Sequence, residues 1–180
     1  MRFMPTALEG VLRVDIDPIR DERGSFARAW CREEFEAAGS SAEWVQANVA
    51  RNPTRGTLRG MHYQRAPHAE AKLVRCTRGR LYDAAVDLRP DSATYGCWVR
   101  EELTEEGGEM LFIPPGCAHG YLTLEPNTDV LYLTSAAYRP DAADGVRYDD
   151  PFFAIEWGAP IVLVSDQDRS WPPADPNARE

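Results

Sequence analysis

Short runs of alternating or β-branched residues recur along almost the whole chain, each closed off within a few positions by Gly, Pro, Asp or Asn. This rhythm constrains the fold more than any other feature. Runs this short need partner strands, and punctuation this frequent leaves little room for helices. The candidate strands are Gly10–Pro18, Ser25–Trp30, Trp44–Ala50, Gly56–Gln64, Ala71–Arg78, Leu81–Leu88, Gly96–Leu103, Glu109–Ile113, His119–Thr123, Asp129–Thr134 and Ile161–Val164. Helix is expected at Arg32–Ala38, with a short turn near Pro140–Asp144. Arg78-Gly79-Arg80, between two strand-like runs, is expected to be a hairpin turn. The pattern predicts an all-β sandwich or barrel. A chain of 180 residues fits one domain, with a core from about residue 5 to 168 and an extended tail over 169–180.

A glycine and histidine pattern overlies these runs. Metal-binding β-barrels of the cupin type are written G-x5-H-x-H-x3,4-E-x6-G, then G-x5-P-x-G-x2-H-x3-N. Here Gly56 and His62 keep their spacing, Gln64 stands in the second His position, and Lys72 replaces the Glu ahead of Gly79. The second half keeps Gly108, Pro114, Gly116 and His119, with Thr123 in the last place. The resemblance implies a cupin-like jelly-roll barrel with one or two short helices and a ligand cavity inside it. The metal set is broken, so neither a metal nor a cofactor is expected. A fixed ammonium in its place suits a site that stabilises negative charge developing on an organic substrate.

Composition excludes several classes. The net charge of −9 argues against nucleic acid, since phosphate neutralisation needs a basic surface. No apolar run approaches a membrane span, and MRFMPTALEG has no signal-peptide core, so the cytoplasm is expected. Cys31, Cys76, Cys97 and Cys117 form no CxxC pair. Lys72 is the only lysine among many arginines. Arginine cannot supply a compact charge whose pKa can move.

The three histidines are His62, His68 and His119. Strict alternation puts Arg59 and His62 on opposite faces of one strand, unless Gly60 makes a bulge that turns both inward. Lys72 shares a face with Val74 and Cys76. If it is buried it needs a carboxylate or an anionic ligand, and Asp83 on the next strand is the candidate. Tyr132, on a face with Val130 and Thr134, is either a general acid or a core aromatic. His62, Lys72 and Tyr132 together would supply a base, a cation and an acid. That trio suits proton abstraction α to a carbonyl, with the proton returned from the other side.

Separated motifs then match one family. Arg59-Gly60-Met61-His62-Tyr63-Gln64, Ala71-Lys72-Leu73-Val74-Arg75, Asp83 to Arg89, Ile113 to Gly120, Asp149-Asp150-Pro151, Asp21 to Phe26 and Ser165-Asp166-Gln167-Asp168 together resemble the dTDP-4-dehydrorhamnose 3,5-epimerases. The resemblance implies a cofactor-independent jelly-roll homodimer acting on a dTDP-linked 4-keto-6-deoxyhexose at C3 and often C5. It implies His62 as base, Asp168 as its orienting carboxylate, Lys72 as enolate stabiliser and Tyr132 as acid. Arg59 and Arg23 are implied as pyrophosphate contacts, with Arg23 reaching in from the partner subunit. Phe26, Gln46 and Tyr138 fall at the nucleoside, His119 and Asp83 at the sugar, and Asn48 is a further substrate contact. Arg28 departs from the family's usual Glu, and the stretch 48–55 lacks its usual serines.

Other readings stay open. A mono-epimerase or 3,4-ketoisomerase of a related deoxysugar pathway would share these residues. A metal-dependent cupin enzyme would bind a stoichiometric ion, and a non-catalytic sugar-nucleotide binding module would bind without exchanging protons.

Overall fold

A computed structural model describes residues 1–40 and 42–174. In chain order they form Arg2–Pro5 (β1), Leu12–Asp15 (β2), Ile19–Asp21 (β3), Gly24–Phe26 (β4), Arg32–Ala37 (α1), Gln46–Asn52 (β5), Leu58–Gln64 (β6), Lys72–Arg78 (β7), Arg80–Asp87 (β8), Trp98–Thr104 (β9), Met110–Ile113 (β10), Cys117–Thr123 (β11), Thr128–Thr134 (β12), Ala143–Gly145 (β13) and Asp166–Ser170 (α2). The named strands pair antiparallel. One sheet runs β1-β2-β10-β7-β12-β5, a second β13-β6-β11-β8-β9, and β3-β4 stand as a separate hairpin. This is the all-β jelly roll with two short helices that the sequence predicts. No helix of the described residues is long and apolar enough to cross a membrane.

Side-chain alternation builds the interior. Val74, Cys76, Leu111, Ile113 and Val130 of the larger sheet meet Leu81, Ala85, Leu103, Cys117 and Tyr121 of the smaller one. Both sheets are also covered outside. Phe35 of α1 packs with Leu73, Met110 and Phe112 over the larger sheet. Phe153, Trp157 and Val164 pack with Leu58, Met61, Ala84, Ala118 and Leu122 over the smaller one. This double cover explains why β10 and β11 are buried at every position instead of alternating with water.

Three local expectations are corrected. Gly79 does not close a hairpin, because β7 and β8 belong to different sheets. Its φ of 74° turns the chain through a corner between them, and a Cβ there would lie 2.8 Å from Thr128 Oγ1. Ile161–Val164 is not a strand. Its one ladder contact is an isolated bridge between Thr57 and Leu163, and Ile161 and Val164 serve the outer cover instead. The expected extended tail starts as helix, since α2 runs through Arg169 and Ser170. Residues 175–180 of that tail lie outside the described residues. The sequence reading also missed β1, β3 and β13, which are too short to show a period.

Candidate active site

A cavity of about 460 Å³ opens between the two sheets, lined from β5, β7 and β12 on one side and β6 and β11 on the other. Its shape depends on one irregularity. His62 pairs with His119 and Arg59 with Tyr121, so Gly60 and Met61 of β6 together oppose Gly120 of β11. This is the expected bulge, and it brings Arg59 and His62 to the same cavity. Only glycine fits at its centre: Gly60 has φ 132°, and a Cβ would come within 2.5 Å of Gly120 Cα.

A carboxylate from the end of the chain ties the bulge to the imidazole. Asp168 is buried in α2, whose N-cap Ser165 accepts a hydrogen bond from the Asp168 N–H. Its Oδ2 accepts from Gly60 N at 3.2 Å and its Oδ1 lies 2.6 Å from His62 Nε2. Burial pushes the Asp168 carboxyl up, but the His62 and Gly60 hydrogen bonds prevail and hold it below the usual carboxylate range. An ionised Asp168 fixes the proton on Nε2, which leaves Nδ1 of the half-exposed ring with a lone pair. Trp171, just past α2, lies edge-on to His62 with centroids 6.5 Å apart. It is seated over Gly145, where a Cβ would meet the indole at 2.4 Å.

Lys72 spans the barrel. It begins β7 in the larger sheet, and its Nζ donates to the carbonyl of His62 in the smaller sheet at 2.8 Å. Its side chain is 8% exposed. The partner is not Asp83, as the sequence suggested, but Glu70, whose Oε1 lies 3.0 Å from Nζ. Asp83 sits one layer deeper and is fully buried, with Oδ1 2.7 Å from His119 Nε2. It therefore supports His119 and does not itself line the cavity. Burial lowers the lysine pKa, while Glu70 and then Asp83 pull it back up. Two of the three ammonium N–H groups have partners in His62 and Glu70, leaving one for a ligand.

Tyr132 faces His62 from the opposite sheet. It is paired in register with Asn48 of β5 and Val74 of β7. Burial raises its pKa, with Arg59 opposing. Gln46 and Asn48 share its face, and Gln46 Nε2 donates to Asn48 Oδ1 at 2.9 Å. Tyr138 closes the rim, its N–H bonded to Gln46 Oε1 at 3.1 Å. Arg59 Nε is held 2.9 Å from Asn52 Oδ1, an acceptor shared with Tyr121.

His62, Asp168, Lys72, Tyr132, Arg59, Gln46, Asn48, His119 and Tyr138 are thus gathered in or against one cavity. Arg23 and Phe26 are not. They lie on the β3–β4 hairpin, 84% and 76% exposed, and Arg23 is paired with Asp21. Arg28, the departure from the family pattern, pairs with Glu34 of α1 at 2.6 Å. Glu70 and Trp171 were missed. A carboxylate two residues before a buried lysine in an extended run shares its face, so Glu70 was findable. Trp171 carried no signal beyond its residue type.

Comparisons with known proteins point one way. A family model described as dTDP-4-dehydrorhamnose 3,5-epimerase matches residues 5–175. The dTDP-4-dehydrorhamnose 3,5-epimerase of Methanothermobacter thermautotrophicus is 38% identical over 98% of this chain and 96% of its own length. The dTDP-4-dehydrorhamnose 3-epimerase of Streptomyces niveus is 36% identical over 93% of this chain and 82% of its own. Among solved structures, a dTDP-4-dehydrorhamnose 3,5-epimerase from Bacillus anthracis with TDP and PPi bound superposes with a TM-score of 0.93. It is 34% identical, and the match covers 96% of this chain and 99% of that one.

Proposed function

The chain belongs to the dTDP-4-dehydrorhamnose 3,5-epimerase family, and from that premise we propose that it inverts C3, and with it C5, of a dTDP-linked 4-keto-6-deoxyhexose without a metal. The observation that carries the reading is the opposition of His62 and Tyr132 across the cavity, with the Lys72 ammonium anchored to His62's own carbonyl. His62 Nδ1 removes the proton on the carbon next to the C4 ketone, and the electron pair moves to the C4 oxygen. The free N–H of Lys72 meets that oxyanion. Tyr132 delivers its phenolic proton to the opposite face, which inverts the carbon. Solvent then restores the phenol and removes the proton from His62. Arg59 is assigned to the diphosphate and Gln46 and Tyr138 to the nucleoside, with Asn48 as a further substrate contact; all four line the cavity. His119, held by Asp83, contacts the sugar.

The donor set supports metal independence. Among the described residues no group of three or more His, Cys, Asp and Glu side chains could hold an ion. Two imidazoles alone, His62 and His119, reach the cavity among the described residues, and Lys72 adds a positive charge beside them. A cytoplasmic setting suits the four free cysteines.

The same reading makes the protein a homodimer. The β3–β4 hairpin presents Ile19, Arg23 and Phe26 to solvent, and edge strand β5 exposes Val49. Pairing two copies would cover these groups and carry Arg23 and Phe26 to the partner's nucleotide. A monomer in sedimentation at enzyme working concentrations would contradict it.

The test is deuterium wash-in. Incubated with dTDP-4-keto-6-deoxyglucose in heavy water, the protein should place deuterium at C3 and C5 of the product, and no label at either carbon would overturn the reading. The similarity to a 3-epimerase supports a second outcome, label and inversion at C3 alone. Tyr132→Phe should separate the two half-reactions. Abstraction needs only His62 and Lys72, so wash-in should survive in part while inverted product falls by ~10²-fold or more. Equal loss of wash-in and inversion would count against Tyr132 as the acid.

A further inference from the structure

Glu70 has no place in the mechanism above, yet it occupies the cavity wall beside the one lysine of the chain. It is buried, and among the described residues its only partner is Lys72 Nζ at 3.0 Å. Its second oxygen, Oε2, is buried with no hydrogen bond at all. The fold itself therefore gives this carboxylate almost nothing. Asp87, by contrast, has both oxygens satisfied by Arg89, Ser92 and Thr94, while Asp83, which also leaves one oxygen bare, is held by His119 and not by Lys72.

We propose that Glu70 is a positioning residue for the epimerisation: the dedicated counter-ion that keeps Lys72 charged inside the barrel and, with the His62 carbonyl, aims its remaining N–H at the C4 oxygen. The proposal rests on the epimerase reading and deepens it. Its logic is electrostatic. Closing a substrate into the cavity removes water from an ammonium that is already buried, which favours the neutral amine. A neutral amine would stabilise an enolate far less well. The charged and titratable groups around Lys72 are Glu70 ahead of β7, His62 on β6, Asp83 on β8, Cys117 and His119 on β11, and Tyr132 on β12. Asp83 is the more distant carboxylate: its Oδ1 is held 2.7 Å from His119 Nε2, and burial raises its pKa. Burial pushes the Cys117 thiol up to about 12. Glu70 is the group that remains to balance the lysine directly.

The solitary lysine makes the test direct. Protein grown with isotope-labelled lysine gives a single side-chain resonance, and its titration reports Lys72 alone, with or without turnover. In Glu70→Gln, which keeps the shape and one acceptor oxygen but removes the charge, Lys72 should titrate at least about one pH unit lower than in wild type. The alkaline limb of the wash-in profile should move down by the same amount, because exchange requires the ammonium and is lost as pH rises through its pKa. Glu70→Asp keeps the charge at a greater distance and should give a smaller fall in the same direction. That variant also serves if Glu70→Gln does not fold. A Lys72 titration unchanged in these variants, or a rate lowered by one factor at every pH with the limb in place, would overturn the proposal. Failure of the epimerase reading would look different: wild-type protein would show no wash-in, whatever the lysine titration does.

Discussion

Replacing His62 with alanine is expected to abolish deuterium wash-in at both sugar carbons, a loss of ~10²–10⁴-fold or more. Among the described residues no second imidazole occupies the place of His62. His119 pairs with His62 across the strands, but it is buried where His62 is half-exposed. His68 is outside the cavity lining. The loss should fall on the rate and leave nucleotide affinity nearly intact, because Arg59, Gln46 and Tyr138 reach the cavity from positions that do not depend on the imidazole. Alanine leaves Asp168 with Gly60 N–H but without its ring partner, so some stability will also be lost. His62→Asn, which keeps a polar group within reach of Asp168, separates the two effects. Wash-in at the wild-type rate in a folded His62→Asn protein would remove His62 from the base role.

Lys72→Met should be nearly as damaging. Methionine matches the length of the lysine stem and fills its volume, so the cavity keeps its shape while the charge disappears. Removing one preorganised oxyanion donor typically costs ~10²–10³ in rate, about 3–4 kcal/mol. The change also strands Glu70, whose carboxylate would be buried without a partner at a cost of about 3–5 kcal/mol. A Lys72→Met/Glu70→Gln double variant should therefore recover much of the thermal stability and none of the wash-in. Recovery of both would mean that Lys72 acts only by holding the fold together.

The sequence made most of the barrel legible because its strands are long enough to show a period and are punctuated by Gly and Pro. β6, β7, β8 and β12 were placed to within a residue or two for that reason. The strands it missed are edge or hairpin pieces, where pairing partners decide the conformation and local preference counts for little. The corner at Gly79 read as a hairpin because a glycine between two strands looks the same in sequence whether they pair or part company. The candidate constellation drew attention through residue type: a lone lysine inside a histidine motif is conspicuous. Its electrostatic partners were less so, because Asp83 and Glu70 sit at equally plausible spacings, and only the depth of each side chain assigns one to His119 and the other to Lys72. Arg23 and Phe26, expected at the nucleotide, lie exposed and outside the cavity lining.

In the proposed reaction a buried ammonium, not a divalent ion, carries the charge of the enolate. Wash-in by protein stripped with a chelator, and shown by elemental analysis to be free of divalent metal, tests it most directly. The account predicts deuterium at C3 at the rate of untreated protein, unchanged when zinc, manganese or magnesium is added back. Exchange that disappears with the metal and returns with it would contradict the account, whatever Lys72 is found to contribute.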